Sequence, residues 1–141
     1  MNHEEYENAA NNTCTLATGS GEFVRCTPIE YSYHDGTVWM FSEGGEKFHA
    51  LENNKNVCIA IYDKYEGFGR LKGLQMTGMA QLVEPFSDEY VAAAEFKKIP
   101  IDALKKLPQP MHLIRVTPVK AEMLNSEFKK DRFASRQKMF Y

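Results

Sequence analysis

A chain of 141 residues, 43% apolar and 12% aromatic, has the length of one domain over 1–141 and enough apolar surface for a real core, which argues against intrinsic disorder. Its formal net charge of -2 offers no bulk attraction to nucleic acid or anionic lipid. No apolar run approaches the ~20 residues of a membrane span, and Met1-Asn2-His3-Glu4-Glu5 is acidic where a secretory signal is basic and then apolar; the expectation is a cytoplasmic protein with no membrane and no nucleic-acid partner.

In chain order, residues 4–11 suit a short helix. Thr13-Cys14-Thr15-Leu16-Ala17-Thr18 alternates with period two, the signature of a strand. Gly19-Ser20-Gly21-Glu22 is turn chemistry, and residues 23–33 resume β-rich sequence interrupted at Pro28, so a hairpin is expected whose second arm carries a bulge or lies at an edge. After a turn at His34-Asp35-Gly36, a third strand covers 37–42, and a helix of about two turns runs from Glu46 or Lys47 to Asn53. Val57-Cys58-Ile59-Ala60-Ile61-Tyr62 is nearly continuous in apolar character, as expected of a central strand. A loop follows over 63–70. Residues 71–84 then alternate as a long strand with Leu74, Met76, Gly78, Ala80 and Leu82 on one face and Gly78 at a bend or bulge. Ser87 caps a helix with Asp88 and Glu89 in its first turn, running to about Lys97. A shorter helical piece covers 101–107. Two strands, 111–116 and 119–124, are broken at Pro118, and the tail over 126–141 interleaves basic and aromatic residues. Mostly antiparallel strands with helices in the connections close most naturally as a small barrel.

Chemistry concentrates at one junction. Strand Val38-Trp39-Met40-Phe41-Ser42 runs through Glu43-Gly44-Gly45-Glu46 into Lys47, so a hydroxyl, a glycine turn and an ammonium converge where a helix starts, an arrangement suited to an anion such as phosphate. Elsewhere the usual motifs are missing. Cys14, Cys26 and Cys58 lie at neither zinc nor CxxC spacing and read as buried small hydrophobes; the four histidines form no metal-ligand cluster, so no metal is expected. Neither a GxSxG elbow nor a Walker A sequence nor a GxGxxG after a strand occurs.

The strand Thr13-x-Thr-Leu-Ala-Thr18, the segment Val24-Arg25-Cys26-Thr27-Pro28-Ile29-Glu30-Tyr31, the Asp35-Gly36 turn, Val38 to Ser42 with Lys47 following, the strand at Asn56-Val57 and Leu74-Gln75-Met76-Thr77-Gly78 occur in this order and spacing. In that order the chain resembles the pyridoxamine 5'-phosphate oxidase-like, FMN-binding split-barrel family from about Thr13 to Gln137. The resemblance implies a mainly β fold, a six-stranded antiparallel split barrel, assembled as a homodimer with flavin mononucleotide (FMN) in a groove at the interface and acting on a small-molecule substrate. It further implies that Arg25 lies near the phosphate and ribityl chain, that Phe41 and Ser42 meet the cofactor, that Lys47 pairs with the phosphate and that Gln75 lies beside the flavin ring. Taken without the resemblance, Arg25 and Lys47 read as solvated cations, Ser42 as a helix cap and Gln75 as an outward strand amide.

The chain also departs from the family pattern. Glu30 stands where a second basic residue follows the strand arginine, Glu46 stands beside Lys47 where an arginine is usual, and Ser135-Arg136-Gln137 lacks the histidine of the C-terminal substrate motif. Fewer cations for a phosphorylated substrate argue against pyridoxamine phosphate oxidase activity itself. The expectation is therefore an FMN-dependent oxidoreductase of unspecified substrate, such as a flavin or quinone-type reductase using reduced nicotinamide, with no residue assigned a catalytic role. The alternative is a non-catalytic flavin-binding protein, or a haem- or deazaflavin-binding barrel with His49 or His112 as haem ligand.

Overall fold

The computed structural model describes residues 13–62, 72–125 and 136–141. The helix expected over 4–11, the loop over 63–70 and most of the basic tail lie outside the described residues. Among the described residues eight strands and three helices follow one another: β1 Thr13–Ser20, β2 Phe23–Glu30, β3 Ser32–His34, β4 Thr37–Ser42, α1 Lys47–Asn53, β5 Asn56–Tyr62, β6 Lys72–Val83, α2 Asp88–Phe96, α3 Ile101–Lys105, β7 His112–Asn125 and β8 Arg136–Phe140. All pairings are antiparallel, in the order β2-β1-β5-β6-β7-β4-β3, with β8 on the second half of β7. The sheet curls around its own apolar face as a split barrel.

Among the described residues there are eight strands where six were expected. The segment over 23–33 is divided because Tyr31 turns into the core, 2% exposed, between β2 and β3, and the tail contributes β8. Pro28 stays inside β2 because β2 is an edge strand paired only with β1, where a missing N–H leaves no ladder bond unmade. Pro118 does not break the last strand in two either. Thr77 pairs with Lys120 and Gly78 with Pro118, so Val119 is the extra residue of a β-bulge, which absorbs the proline within one continuous β7. Gly78 lies at this bulge for a steric reason: a Cβ there would sit 2.6 Å from Val116 Cγ1 and 2.8 Å from the Thr117 carbonyl oxygen.

Two apolar clusters lie on opposite sides of β4 and β7. Inside the barrel, Leu16, Val38, Met40, Ile59, Ile114 and Val116 are at most 1% exposed. On the other side, Phe41, Val83 and Leu113 meet Tyr90, Ala94 and Leu104 of α2 and α3. Alternation along β6 holds for Leu74, Met76, Gly78 and Ala80 and then lapses. Leu82 is exposed, contrary to the expected face, and Val83 pairs with Leu113 on the side that meets the helices. Ser87 caps α2 as expected, its Oγ accepting from the Tyr90 N–H at 3.3 Å. Of the cysteines, only Cys14 is fully buried; Cys26 is exposed, because its position on edge strand β2 faces outward. Among the described residues no helix is long and apolar enough to cross a membrane.

Candidate functional site

Register decides what the barrel interior offers at each end. Thr18 pairs with Arg25, so both point to the inner face near the start of α1, whereas Cys14 pairs with Ile29 toward the opposite end. That opposite end is lined by Tyr31, Tyr33, Val38, Ile61, Leu74 and Met123, with no charged side chain in the lining among the described residues. Burial there pushes the Tyr31 phenol up to about 12, with Cys14 a smaller contributor. Among the described residues, Arg25 and Lys47 lie at the first end.

There, β4 delivers Ser42 into the turn that starts α1. Gly45 has φ +124, open to glycine alone, and a Cβ on it would lie 3.2 Å from Lys47 Nζ. The turn presents its Gly44 carbonyl inward. Ser42 Oγ donates to that oxygen at 3.1 Å and Lys47 Nζ at 2.7 Å. Lys47 is 4% exposed, its ammonium lies 5.0 Å from the centre of the Phe48 ring, and burial lowers its pKa. Among the described residues no carboxylate pairs with it. A buried ammonium held, among the described residues, by one neutral acceptor is a costly arrangement by itself and is suited to donate further to an anion.

Arg25 reaches the same region from β2 and forms an ion pair with Glu46, Nη1 to Oε2 3.0 Å. Thr18, 4% exposed, has a hydroxyl without a hydrogen-bond partner. Asn54 Nδ2 donates to the Gly19 carbonyl at 2.8 Å and ties the end of α1 to the β1–β2 hairpin. His112 pairs with Ser42 across β7 and β4, and its ring rests on Phe48 at 4.6 Å between centroids.

Of the five residues singled out from sequence, the structure brings Arg25, Ser42 and Lys47 together and sends two elsewhere. Phe41 faces the helix-side cluster, edge-on to Tyr90 at 5.3 Å. Gln75 stands exposed on the outer face of the sheet between Ala60 and Glu122. His49 is exposed on α1. Sequence reasoning missed Thr18, Glu46 as the partner of Arg25, and His112 as a neighbour of Ser42. For Thr18 the period-two alternation held the signal, since it shares a face with Leu16 and Cys14; the other two depend on pairing across the fold. No group of three or more His, Cys, Asp or Glu able to hold a metal occurs among the described residues.

The family model of pyridoxamine 5'-phosphate oxidase matches residues 3–125. The chain belongs to that family. No curated protein matches the sequence significantly. Solved structures share the fold at low identity. The haem storage protein HutZ of Vibrio cholerae is 21% identical over 82% of this chain and 86% of its own, with a TM-score of 0.67. An FAD-binding protein of Mesorhizobium loti is 18% identical over 86% of this chain and 92% of its own, TM-score 0.64. An FAD-binding protein of Mycobacterium smegmatis is 17% identical over 99% and 98%, TM-score 0.63. The barrel fold is thus shared by proteins whose names carry different cofactors.

Proposed function

We propose that this family member binds FMN by its phosphate at the Arg25–Lys47 end of the barrel and works, as a homodimer with the cofactor between subunits, as a flavin-dependent oxidoreductase on a small molecule. The observation that carries this reading is Lys47, an ammonium buried to 4% exposure and without a carboxylate partner among the described residues. A phosphate would supply the missing counter-charge.

The other residues fit the same group. The Arg25–Glu46 pair has side chains 53% and 58% exposed, and a pair so solvated is worth about 0–1 kcal/mol, small enough for Arg25 to exchange Glu46 for a dianion. Thr18 adds an unpartnered hydroxyl. Gln75 stands on the face of the sheet opposite Lys47, so one chain does not bring both to one flavin, which supports a cofactor shared between two copies. Bound flavin supplies hydride or electron transfer at its ring. The chain's own residues neutralise the phosphate, orient the cofactor and exclude water from the buried ammonium. Glu46 offsets positive charge beside Lys47 and Arg25, and Glu30, paired with Lys97 at 3.0 Å, supplies no further cation, which favours a substrate without a phosphate and argues against pyridoxamine phosphate oxidase activity itself.

The test is FMN titration by fluorescence quenching. Lys47→Ala is expected to weaken FMN by about 1.5–3 kcal/mol, the scale of a charge-assisted hydrogen bond, while riboflavin, which has no phosphate, binds the parent poorly and is indifferent to the substitution. Equal FMN affinity in both proteins would overturn the assignment. Bleaching of bound flavin by reduced nicotinamide without oxygen separates an enzyme from a passive binder. A haem reading rests on His112, exposed beside Ser42 with its ring tilted against Phe48, and on the likeness to the haem storage protein; an intense haem band in the spectrum of the purified protein would favour it over flavin.

A further inference from the structure

A second concave site, sharing no lining residue with the anion end, lies between the β3–β4 turn and α2. It is a groove of about 220 Å³ lined by His34, Asp35, Trp39, Glu89, Ala93 and Phe96. The α2 side is low because Ala92 and Ala93 stand where longer side chains would fill the space. The walls are aromatic and held in place. Trp39 donates its Nε1–H to the His34 carbonyl at 3.3 Å, and the His34 ring stacks on Phe96 at 4.2 Å between centroids.

The rim is acidic. Asp35 is 84% exposed in its side chain and touches His34 Nε2 at 3.2 Å; Glu89, 38% exposed, is bonded to Arg115 Nη1. The Arg115 guanidinium neutralises Glu89, so Asp35, whose one ion-pair neighbour among the described residues is His34, is the carboxylate that gives the mouth its negative charge. Aromatic faces carry a negative quadrupole, and with a carboxylate beside them they select an organic cation over an anion or a neutral apolar group. A bare metal ion is disfavoured, since no group of three ligating side chains forms there among the described residues.

We propose that this groove binds a small alkylammonium, with the cationic head against Trp39 and Phe96 and Asp35 supplying the counter-charge. Nothing in this site depends on the flavin reading, and Lys47 does not enter it.

Trp39 is the chain's single tryptophan, so its fluorescence reports on the groove without a label. Choline chloride should change that emission saturably against a sodium chloride control of equal ionic strength, and its neutral isostere 3,3-dimethyl-1-butanol should bind at least about tenfold more weakly. Asp35→Asn, which keeps a residue tolerant of the positive φ at this position, and Phe96→Leu, which keeps apolar volume but removes the π face, should each weaken choline about three- to tenfold, the scale of one cation–π or exposed ionic contact. Thermal melts establish that both variants fold, and if Phe96→Leu does not, Asp35→Asn carries the test. Lys47→Ala should leave the choline response unchanged. Equal responses to choline and the neutral alcohol, or no saturable change beyond the salt control, would overturn the proposal.

Discussion

At the scale of residues, burial sets the ionisation of the groups that matter, and the signs differ. The Cys14 thiol, 3% exposed, is pushed up to about 12 from 9.0, and the Tyr31 phenol up to about 12 from 10.0. Both keep their protons in the fold beyond the pH at which the unfolded chain releases them. Their contribution to stability is complete below pH 9 and is lost as pH rises toward 12. Lys47 has the opposite sign: its pKa is lowered by burial, so the cost of holding it charged is relieved as pH climbs toward 10.5. Cys14→Val, close in volume and without a proton to lose, is therefore expected to show a flatter decline of the urea midpoint between pH 9 and 12 than the parent. An unchanged slope would mean that the thiol is solvated. Lys47 was legible in the sequence from its place after Ser42 and the glycine turn. That its first partner is the Gly44 carbonyl was not, because the direction of one peptide plane depends on the φ of Gly45 and on what the lysine must satisfy once buried.

At the scale of elements, the long β6–β7 ladder carries a built-in irregularity that positions both ends of the barrel. The bulge at Val119 lets Pro118 stay in the strand, and Gly78 opposite it permits an approach that no side chain would allow. Gly78→Ala forces Val116 or the Thr117 peptide to move, and overpacking of this kind is expected to lower stability by about 1–3 kcal/mol in urea unfolding. A cost near zero would show that the bulge is pliable. Strand alternation and the bend at Gly78 could be read from local pattern. The continuity of β7 could not, since a proline reads as a break until the partner strand is known to supply a bulge.

At the scale of the whole molecule, the sheet has one face rolled into the barrel and one left outside. Val24, Tyr62, Met79 and Phe140 are 74%, 66%, 42% and 74% exposed, and the register turns all four to the outer face. Apolar exposure of this kind on the face that also carries Gln75 is what the proposed homodimer would cover. Light scattering at micromolar concentration is expected to give twice the chain mass of 16.1 kDa. A monomer would count against both the dimer and a cofactor shared between subunits. The helix-side cluster around Tyr90, with its hydroxyl donating to the Met111 carbonyl at 2.9 Å, accounts for the place of the Phe41 side chain: β4 is buried on both faces, and Phe41 takes the one that meets the helices.

By itself the sequence determined whatever follows from neighbours along the chain: period-two strands, the Ser87 cap and acidic first turn of α2, the glycine turn before Lys47, and an order of segments specific enough to mark the family. Tertiary structure decided what depends on which strand lies beside which. It joined Arg25 to Glu46, turned Thr18 inward beside it, buried Phe41 against α2, left Gln75 on the outer face, and built the groove around Trp39 from two elements some fifty residues apart. The reason is that local pattern sets whether a residue is in a strand, whereas the face it presents and the partner it meets are set by register and curvature, which arise only when distant strands pair.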